Sequence, residues 1–389
     1  MNDLHAAVRK RFGSAESDFA LDVAFDAAAG FTILFGASGA GKTTLLDCVS
    51  GLAQPDTGRI SVGERVLFDS SSRVSVPVAQ RRVGYVFQDL ALFPHMSVEQ
   101  NVLYGLKPLP DAEHKQRTSA ILRSFRVDHL AQRNAREISG GERQRVALAR
   151  TLVTDPEVLL LDEPLAALDA PTKAKIINDL RAWNEAHGIP ILYVTHSREE
   201  VFALGERVLM LDAGRVVAQG TPHQVMTAPR QQTVAQLAGF ENIFDATVEA
   251  VHPERGTMLC GIVACGIMVG SVASDATSAH GAGAPVLIET PLVRAAVGSK
   301  LRVGIRAGDI LLAISPPQGL SARNVIPGRI TSLEQRDVIV SARVNCGEVI
   351  GSVEMEVHLT LAARDSLQLA PGKQVWLVIK THSCYLMQN

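Results

Sequence analysis

Residues 31–52, FTILFGASGAGKTTLLDCVSGL, pass from an apolar stretch through a glycine-rich turn into a helical pattern, and few folds accept that order. Phe31–Phe35 has the length and apolar content of a buried strand. Leu45, Leu46, Val49 and Leu52 recur at the spacing that puts them on one inward face of a helix. The turn between them, GASGAGKT at 36–43, fits GxxxxGK[ST]. Its glycines let successive backbone N–H groups turn toward one anion, and the helix N-terminus adds its partial positive charge. Gly36, Ala37, Ser38, Gly39, Ala40, Gly41 and Thr44 therefore form a phosphate cradle. Lys42 reaches the β- and γ-phosphates, and the Thr43 hydroxyl offers a magnesium ligand.

With 389 residues, 47% hydrophobic and 20% charged, the chain has room for two or three domains and no compositional sign of wide disorder. A net charge of -2 gives no electrostatic case for a nucleic-acid partner. Cys48, Cys260, Cys265, Cys346 and Cys384 form no CxxC pair and read as reduced thiols packed in cores. Asp3, His5, Arg9, Lys10 and Arg11 interrupt the N-terminus, so no cleavable signal peptide is expected. Residues 257–274 carry no charge and approach the length of a membrane span. Their glycines and short apolar bursts fit two strands joined by a turn better.

The first ~230 residues alternate buried-strand runs with helical patterns, which predicts an α/β domain over 1–235 with a largely parallel sheet. Val158–Leu161 is apolar throughout, and Ile191–Thr195 delivers His196 at a strand end. The insert at about 89–138 predicts a helical subdomain. Beyond residue 235 the texture becomes β: Phe244–Val251, Lys300–Arg306, Val338–Val344 and Gln374–Lys380 are short runs bounded by turn formers. These predict a β-rich lobe over 240–320 and a small barrel over 321–387, with a loose loop at 270–284.

Asp162 and Glu163 end the apolar strand. Asp162 suits magnesium, directly or through water, and Glu163 can then orient or deprotonate a water attacking the γ-phosphate. A carboxylate pair capping a helix is the plainer alternative. Gln88, after Val83–Phe87, could touch both magnesium and that water, although alone a strand-end Gln is more often just surface and a strand-end His such as His196 a satisfied polar residue.

Taken in order, the Walker A sequence at 36–43, Gln88, SGGE at 139–142, Asp162–Glu163, Leu168–Asp169 and His196 resemble an ATP-binding-cassette (ABC) ATPase. The resemblance covers about 230 residues and implies a P-loop NTPase fold with a helical subdomain, binding ATP and Mg2+. It implies Thr43, Gln88 and Asp162 at the metal, and Glu163, His196 and Gln88 in hydrolysis. Ser139, Gly140 and Gly141 would contact the γ-phosphate held by a second copy, so each chain carries two half-sites that cannot meet. A head-to-tail dimer enclosing two ATP molecules follows, with Asp169 bridging the sites and His196 holding the γ-phosphate. Adenine would stack on the first strand, at Phe12 ahead of Phe19. Ile138 and Glu142 stand where LSGGQ has Leu and Gln, and Ala166 where many relatives have Ser.

RRVGYVFQDLALFPHMSVEQNV at 81–102 resembles importer ATPases, in which this stretch lines a groove for a membrane partner's helix. Leu90, Leu92, Phe93 and Met96 suit that contact, or else pack the helical subdomain. The C-terminal region, with SARNVIPGRI at 321–330 and VWLVIKTHS at 375–383, resembles an all-β, OB-like regulatory domain of the TOBE or Mop type. Together these segments are similar to the ATPases of bacterial molybdate importers. By that resemblance Ser321, Arg323, Asn324, Lys380 and Thr381 form an oxyanion site; ordinary turn and strand-end residues are the alternative. The implied setting is the cytoplasmic face of the inner membrane, with permease subunits as partners and a periplasmic binding protein acting indirectly. Sulfate, iron or polyamine importers are the alternative within this class. A soluble cassette ATPase acting on nucleic acid or ribosomes would carry two cassettes or a coiled-coil insertion, and this chain shows neither.

Overall fold

The computed structural model describes residues 3–14, 17–106, 111–166, 168–226, 229, 232–263, 285–347 and 353–387. Two compact units divide the chain, Met1–Val225 and Met226–Asn389.

In the first unit β1 (Leu4–Ser14) and β2 (Ser17–Ala27) form an antiparallel ribbon. β3 (Gly30–Gly36) ends at the glycine loop, and α1 (Lys42–Ser50) follows it. β4 (Thr57–Val62), β5 (Arg65–Asp69) and β6 (Val74–Ser75) extend the ribbon from β1. β7 (Val83–Val86) leads to α2 (Val98–Tyr104), α3 (Asp111–Ser124) and α4 (Gly140–Leu152). Then come β8 (Val158–Asp162), α5 (Ala170–His187), β9 (Pro190–Val194) and α6 (Arg198–Leu204). β10 (Arg207–Asp212) and β11 (Arg215–Gly220) complete a sheet ordered β6-β5-β4-β1-β2-β11-β10-β3-β9-β8-β7.

The parallel sheet expected from the sequence is β7, β8, β9, β3 and β10. β3, β8 and β9 are buried at every position, as strands covered on both faces must be. The ribbon half is antiparallel instead: β1–β2, β4–β5 and β5–β6 have connections too short for a crossover, and β4 adds antiparallel to β1. There Leu4, Ala6 and Val8 are buried while His5, Ala7 and Arg9 are not, the alternation of a one-faced sheet. One core joins both halves, with Leu21 and Ile60 packed in the same cluster as Leu45, Leu160 and Leu209. α2, α3 and α4 pack on one another around Val98, Val102, Leu122, Phe125 and Val146.

α7 (Pro222–Met226) crosses the division, and α8 (Gln232–Leu237) lies in the second unit. β12 (Asn242–His252), β13 (Thr257–Val263), β14 (Val286–Pro291), β15 (Lys300–Ile305) and β16 (Leu311–Ala313) follow. β17 (Asn324–Arg336), β18 (Ile339–Cys346), β19 (Val353–Thr360), α9 (Leu361–Ser366), β20 (Gln374–Ile379) and β21 (Tyr385–Met387) come next. The sheets run β14-β13-β12-β15-β21 and β19-β18-β17-β20-β16, so the same plan occurs twice. Each repeat ends in a 3-10 turn, at Ala307–Asp309 or Thr381–Ser383, and its last short strand joins the other repeat's sheet. That exchange crosses the boundary expected near residue 321, and a single core from Phe244 to Cys384 serves both sheets.

Two buried asparagines fasten the repeats. Asn242 donates to the Glu356 carbonyl (2.8 Å) and accepts the Glu356 N–H (2.7 Å). Asn324 does the same with Glu289, at 2.9 and 2.6 Å. Of the uncharged stretch 257–274, β13 takes the first seven residues; the remainder, Cys265 and the expected 270–284 loop lie outside the described residues. Among the described residues no helix is long and apolar enough to cross a membrane. Cys48, Cys260, Cys346 and Cys384 are buried free thiols.

Candidate active site

The carboxyl ends of β3, β7, β8 and β9 converge on one cavity of about 680 Å³. It is lined by Phe12, Phe19, Gly36, Ser38, Gly39, Gly41, Lys42, Thr43, Thr44, Gln88, Asp162, Glu163 and His196. Four segments far apart in sequence thus meet where parallel strands of open α/β sheets present ligand sites.

The loop itself demands glycine at three points, the first being Gly36, where a Cβ would run into the Leu211 carbonyl. Gly39 has φ +79° and open space around it, so conformation and not crowding excludes a side chain. Gly41 caps α1 at φ +97°, and a Cβ there would sit 3.0 Å from the Phe19 ring. Lys42 folds back on the loop and donates to the carbonyls of Gly36 (2.9 Å) and Ala37 (2.8 Å). Burial lowers its pKa, while Glu163 and Asp162 oppose that shift. A cation held so by weak carbonyl partners is ready to exchange them for a phosphate.

Thr43 Oγ1 donates to Asp162 Oδ2 at 2.8 Å. Burial raises the Asp162 pKa, with the Thr43 bond acting the other way. The hydroxyl, the carboxylate and the nearby Gln88 amide are hard oxygen donors suited to Mg2+. Among the described residues no three His, Cys, Asp or Glu side chains gather as a metal site. The donor set therefore fits a magnesium ion that arrives with phosphate oxygens and completes its shell from them.

Glu163 follows Asp162 with φ +45°, an uncommon conformation for a residue bearing a side chain, and its N–H is tied to the Val194 carbonyl (3.1 Å). The turn points its carboxylate at His196, whose Nδ1 lies 3.3 Å from Oε2. His196 is largely exposed, projecting into the cavity from the end of β9. Phe12 and Phe19 face each other across the β1–β2 ribbon with ring centroids 6.0 Å apart. Phe19 leans on the glycine loop, whereas the Phe12 ring is 40% exposed at the rim.

Ser139, Gly140, Gly141 and Asp169 do not line this cavity. Ser139 caps α4 in a reciprocal box with Glu142. The Glu142 carboxylate accepts both the Ser139 N–H (2.7 Å) and its hydroxyl (2.8 Å). Glu142, noted in the sequence only as a departure, thus sets the serine's orientation. Gly141 lies under the next segment, since a Cβ there would come 2.6 Å from Thr172 Cγ2. Asp169 caps α5 by accepting the Thr172 N–H and hydroxyl, which lower its pKa. Sequence reasoning missed Arg150, whose guanidinium donates to the Leu90 (2.9 Å) and Ala91 (2.7 Å) carbonyls. Both residues have positive φ, so α4 holds the strained stretch after Gln88 in place. The Phe93 and Tyr104 rings pack at a tilt of 56° with centroids 4.6 Å apart, and Leu90, Leu92 and Met96 are half-buried.

In the second unit a cavity of about 760 Å³ is lined by Arg255, Gly256, Thr257, Glu289, Ser321, Arg323, Lys380, Thr381 and His382. Four of the five oxyanion candidates gather here. Asn324 does not; its amide is committed to the Glu289 backbone, and it is a structural clamp. Arg255 and His382 were not anticipated, because turns of both repeats supply the wall. The other repeat shows what such a turn binds. Glu241, one residue before Asn242, accepts the Ala307 N–H at 2.8 Å. At the matching place before Asn324 stands Arg323, and cations replace the internal carboxylate.

Residues 22–166 match the ABC transporter family and residues 320–386 the TOBE domain. Molybdenum import ATP-binding protein ModC of Rhizobium meliloti is 38% identical, over 97% of this chain and 98% of its own. Its counterpart from Paramagnetospirillum magneticum is 36% identical over 94% of each. Among solved structures, a dimeric bacterial ABC transporter cassette aligns with TM-score 0.50 and 27% identity, over 56% of this chain and 98% of that one. CbiO1 from Clostridium perfringens, part of the cbiONQ transporter complex, aligns with TM-score 0.51 and 29% identity over 57% and 89%. The glycine loop, the Asp162–Glu163 pair and the α4 motif on this sheet define an ATP-binding-cassette ATPase with a C-terminal TOBE domain. Such a protein binds ATP. Within that class, the chain belongs to the family of molybdenum import ATP-binding proteins.

Proposed function

We propose that this chain is the energy-coupling ATPase of a bacterial molybdate importer, working as a head-to-tail pair on the cytoplasmic face of the membrane. The observation that carries the reading is the incompleteness of the first cavity. It gathers the phosphate loop, Asp162, Glu163 and His196, yet the α4 N-terminus with Ser139, Gly140 and Gly141 lies outside it. A second copy, placed head to tail, would supply that helix end to the γ-phosphate.

In this reading the loop N–H groups and Lys42 bind the β- and γ-phosphates, and Phe12 stacks on adenine. Thr43, Asp162 and Gln88 hold magnesium, which when bound neutralises charge developing on the phosphate oxygens. Glu163 orients the attacking water and takes its proton. His196, steadied against Glu163, donates to the γ-phosphate. Asp169 meets the partner copy. Leu90, Leu92, Phe93 and Met96 dock a helix of the permease, and Arg150 links that contact to α4. A periplasmic binding protein delivers the cargo to the permease.

The test is uptake of radiolabelled molybdate by cells lacking this chain. The wild-type gene is expected to restore it, and Glu163→Gln to fail. Restoration of sulfate uptake instead would reassign the cargo and leave the ATPase reading standing.

The second cavity is proposed to sense the same dianion through Ser321, Arg323, Lys380 and Thr381, with Arg255 and His382 beside them. Molybdate at 100-fold excess over its Kd is expected to raise the Tm of the full chain by about 5 °C or more. Arg323→Ala should abolish the rise. No rise in the wild type would remove this site from the proposal.

A further inference from the structure

We infer that Glu200 is a positioning residue: it fixes the segment presenting His196 and ties that segment to the helix beginning at Asp169. The side chain is 5% exposed on the first turn of α6. Its Oε2 accepts the hydroxyls of Tyr193 (2.9 Å) and Thr195 (2.8 Å), and Oε1 accepts Lys173 Nζ (3.0 Å). Thr195 Oγ1 in turn accepts the Ser197 N–H at 2.9 Å, and Ser197 Oγ accepts the Glu200 N–H at 3.4 Å. Both neighbours of His196 are thereby held, while the imidazole between them stands exposed, 3.3 Å from Glu163.

The helix does not need this carboxylate, since Ser197 already caps α6. A charge this deep is costly unless fully paired, and here two buried hydroxyls and the Lys173 ammonium pair it. What the carboxylate adds is a joint between elements. Lys173 lies one helical turn into α5, where its N–H bonds the Asp169 carbonyl. A single buried group therefore connects the His196 segment of one strand end to the segment expected to face the partner copy. Displacing a γ-phosphate ligand by about 1 Å can cost about 100-fold in rate without altering binding. Glu200 acts through His196 and touches no substrate.

The inference rests on the hydrolytic reading of Glu163 and His196, so the experiment separates the two. ATP turnover, KM and Tm would be measured on full-length wild type, Glu200→Gln, Lys173→Met, Lys173→Arg, the Glu200→Gln/Lys173→Met double variant and Glu163→Gln. Glu200→Gln keeps an oxygen for the two hydroxyls, and loses both the charge and the acceptor that face Lys173, where its NH2 meets the ammonium. Each single variant is expected to lower kcat about tenfold or more with KM within about twofold. The double variant should be no worse than either single one, and Lys173→Arg should retain activity. Unchanged kcat in both singles, additive losses, or a fall in kcat that only follows a fall in Tm would overturn the inference. Lys173 is partly exposed, so Lys173→Met decides the matter if Glu200→Gln does not fold. Full activity in Glu163→Gln would sink the hydrolytic reading and this inference together; normal Glu200 and Lys173 variants beside an inactive Glu163→Gln would sink this inference alone.

Discussion

Glu163→Gln is expected to bind ATP as the wild type does and to hydrolyse it about 100- to 10,000-fold more slowly, the span that a positioned general base contributes. The amide has the shape of the carboxylate but cannot accept a proton. The φ of +45° and the N–H bond to Val194 are backbone properties, so the substitution leaves the turn intact. The amide also remains within reach of His196 Nδ1, now at 3.3 Å. Steady-state hydrolysis should collapse while equilibrium nucleotide binding persists, and sizing in ATP should show a stable pair of chains. A normal rate would mean that another group activates the water, leaving Glu163 a strand-end carboxylate.

Lys42→Ala is expected to weaken ATP binding on the order of 100-fold or more, since charge-assisted bonds to two phosphates are lost together. The fold should survive, because the Lys42 amine bonds only the carbonyls of its own loop at Gly36 and Ala37. Titration calorimetry would measure the change. An unchanged Kd would show that the backbone N–H groups alone hold the nucleotide.

Much of this site was legible because its chemistry is written in short contiguous segments. A phosphate cradle needs consecutive N–H groups, so GASGAGKT announces itself, and β8 ends in Asp162 with Glu163 directly after it. Gln88 and His196 carried no such local signature and gained meaning only from order. The C-terminal unit was read less well. Its strands were visible at Phe244–Val251 and Gln374–Lys380, but their duplication was not, since two stretches can share a topology while sharing few residues. Asn324 looked like a ligand beside Arg323, yet alternation along β17 turns it inward to clamp Glu289. Arg150 was equally hidden, because its partners are backbone carbonyls some sixty residues earlier, which no side-chain pattern records.

By itself the sequence determined the chemistry each segment offers: backbone N–H groups at a glycine turn, carboxylate oxygens at a strand end, an apolar face in the core. Those properties depend on neighbours within a few residues. Only the tertiary structure decided which of them meet. Strand pairing brought residues 42, 88, 163 and 196 to one cavity and left Ser139 outside it. It also bound Glu200 to Lys173, and set an internal carboxylate in one β repeat against cations in the other. Hydrogen bonds and ion pairs act over a few ångströms of space whatever the distance along the chain, so such meetings are properties of the fold.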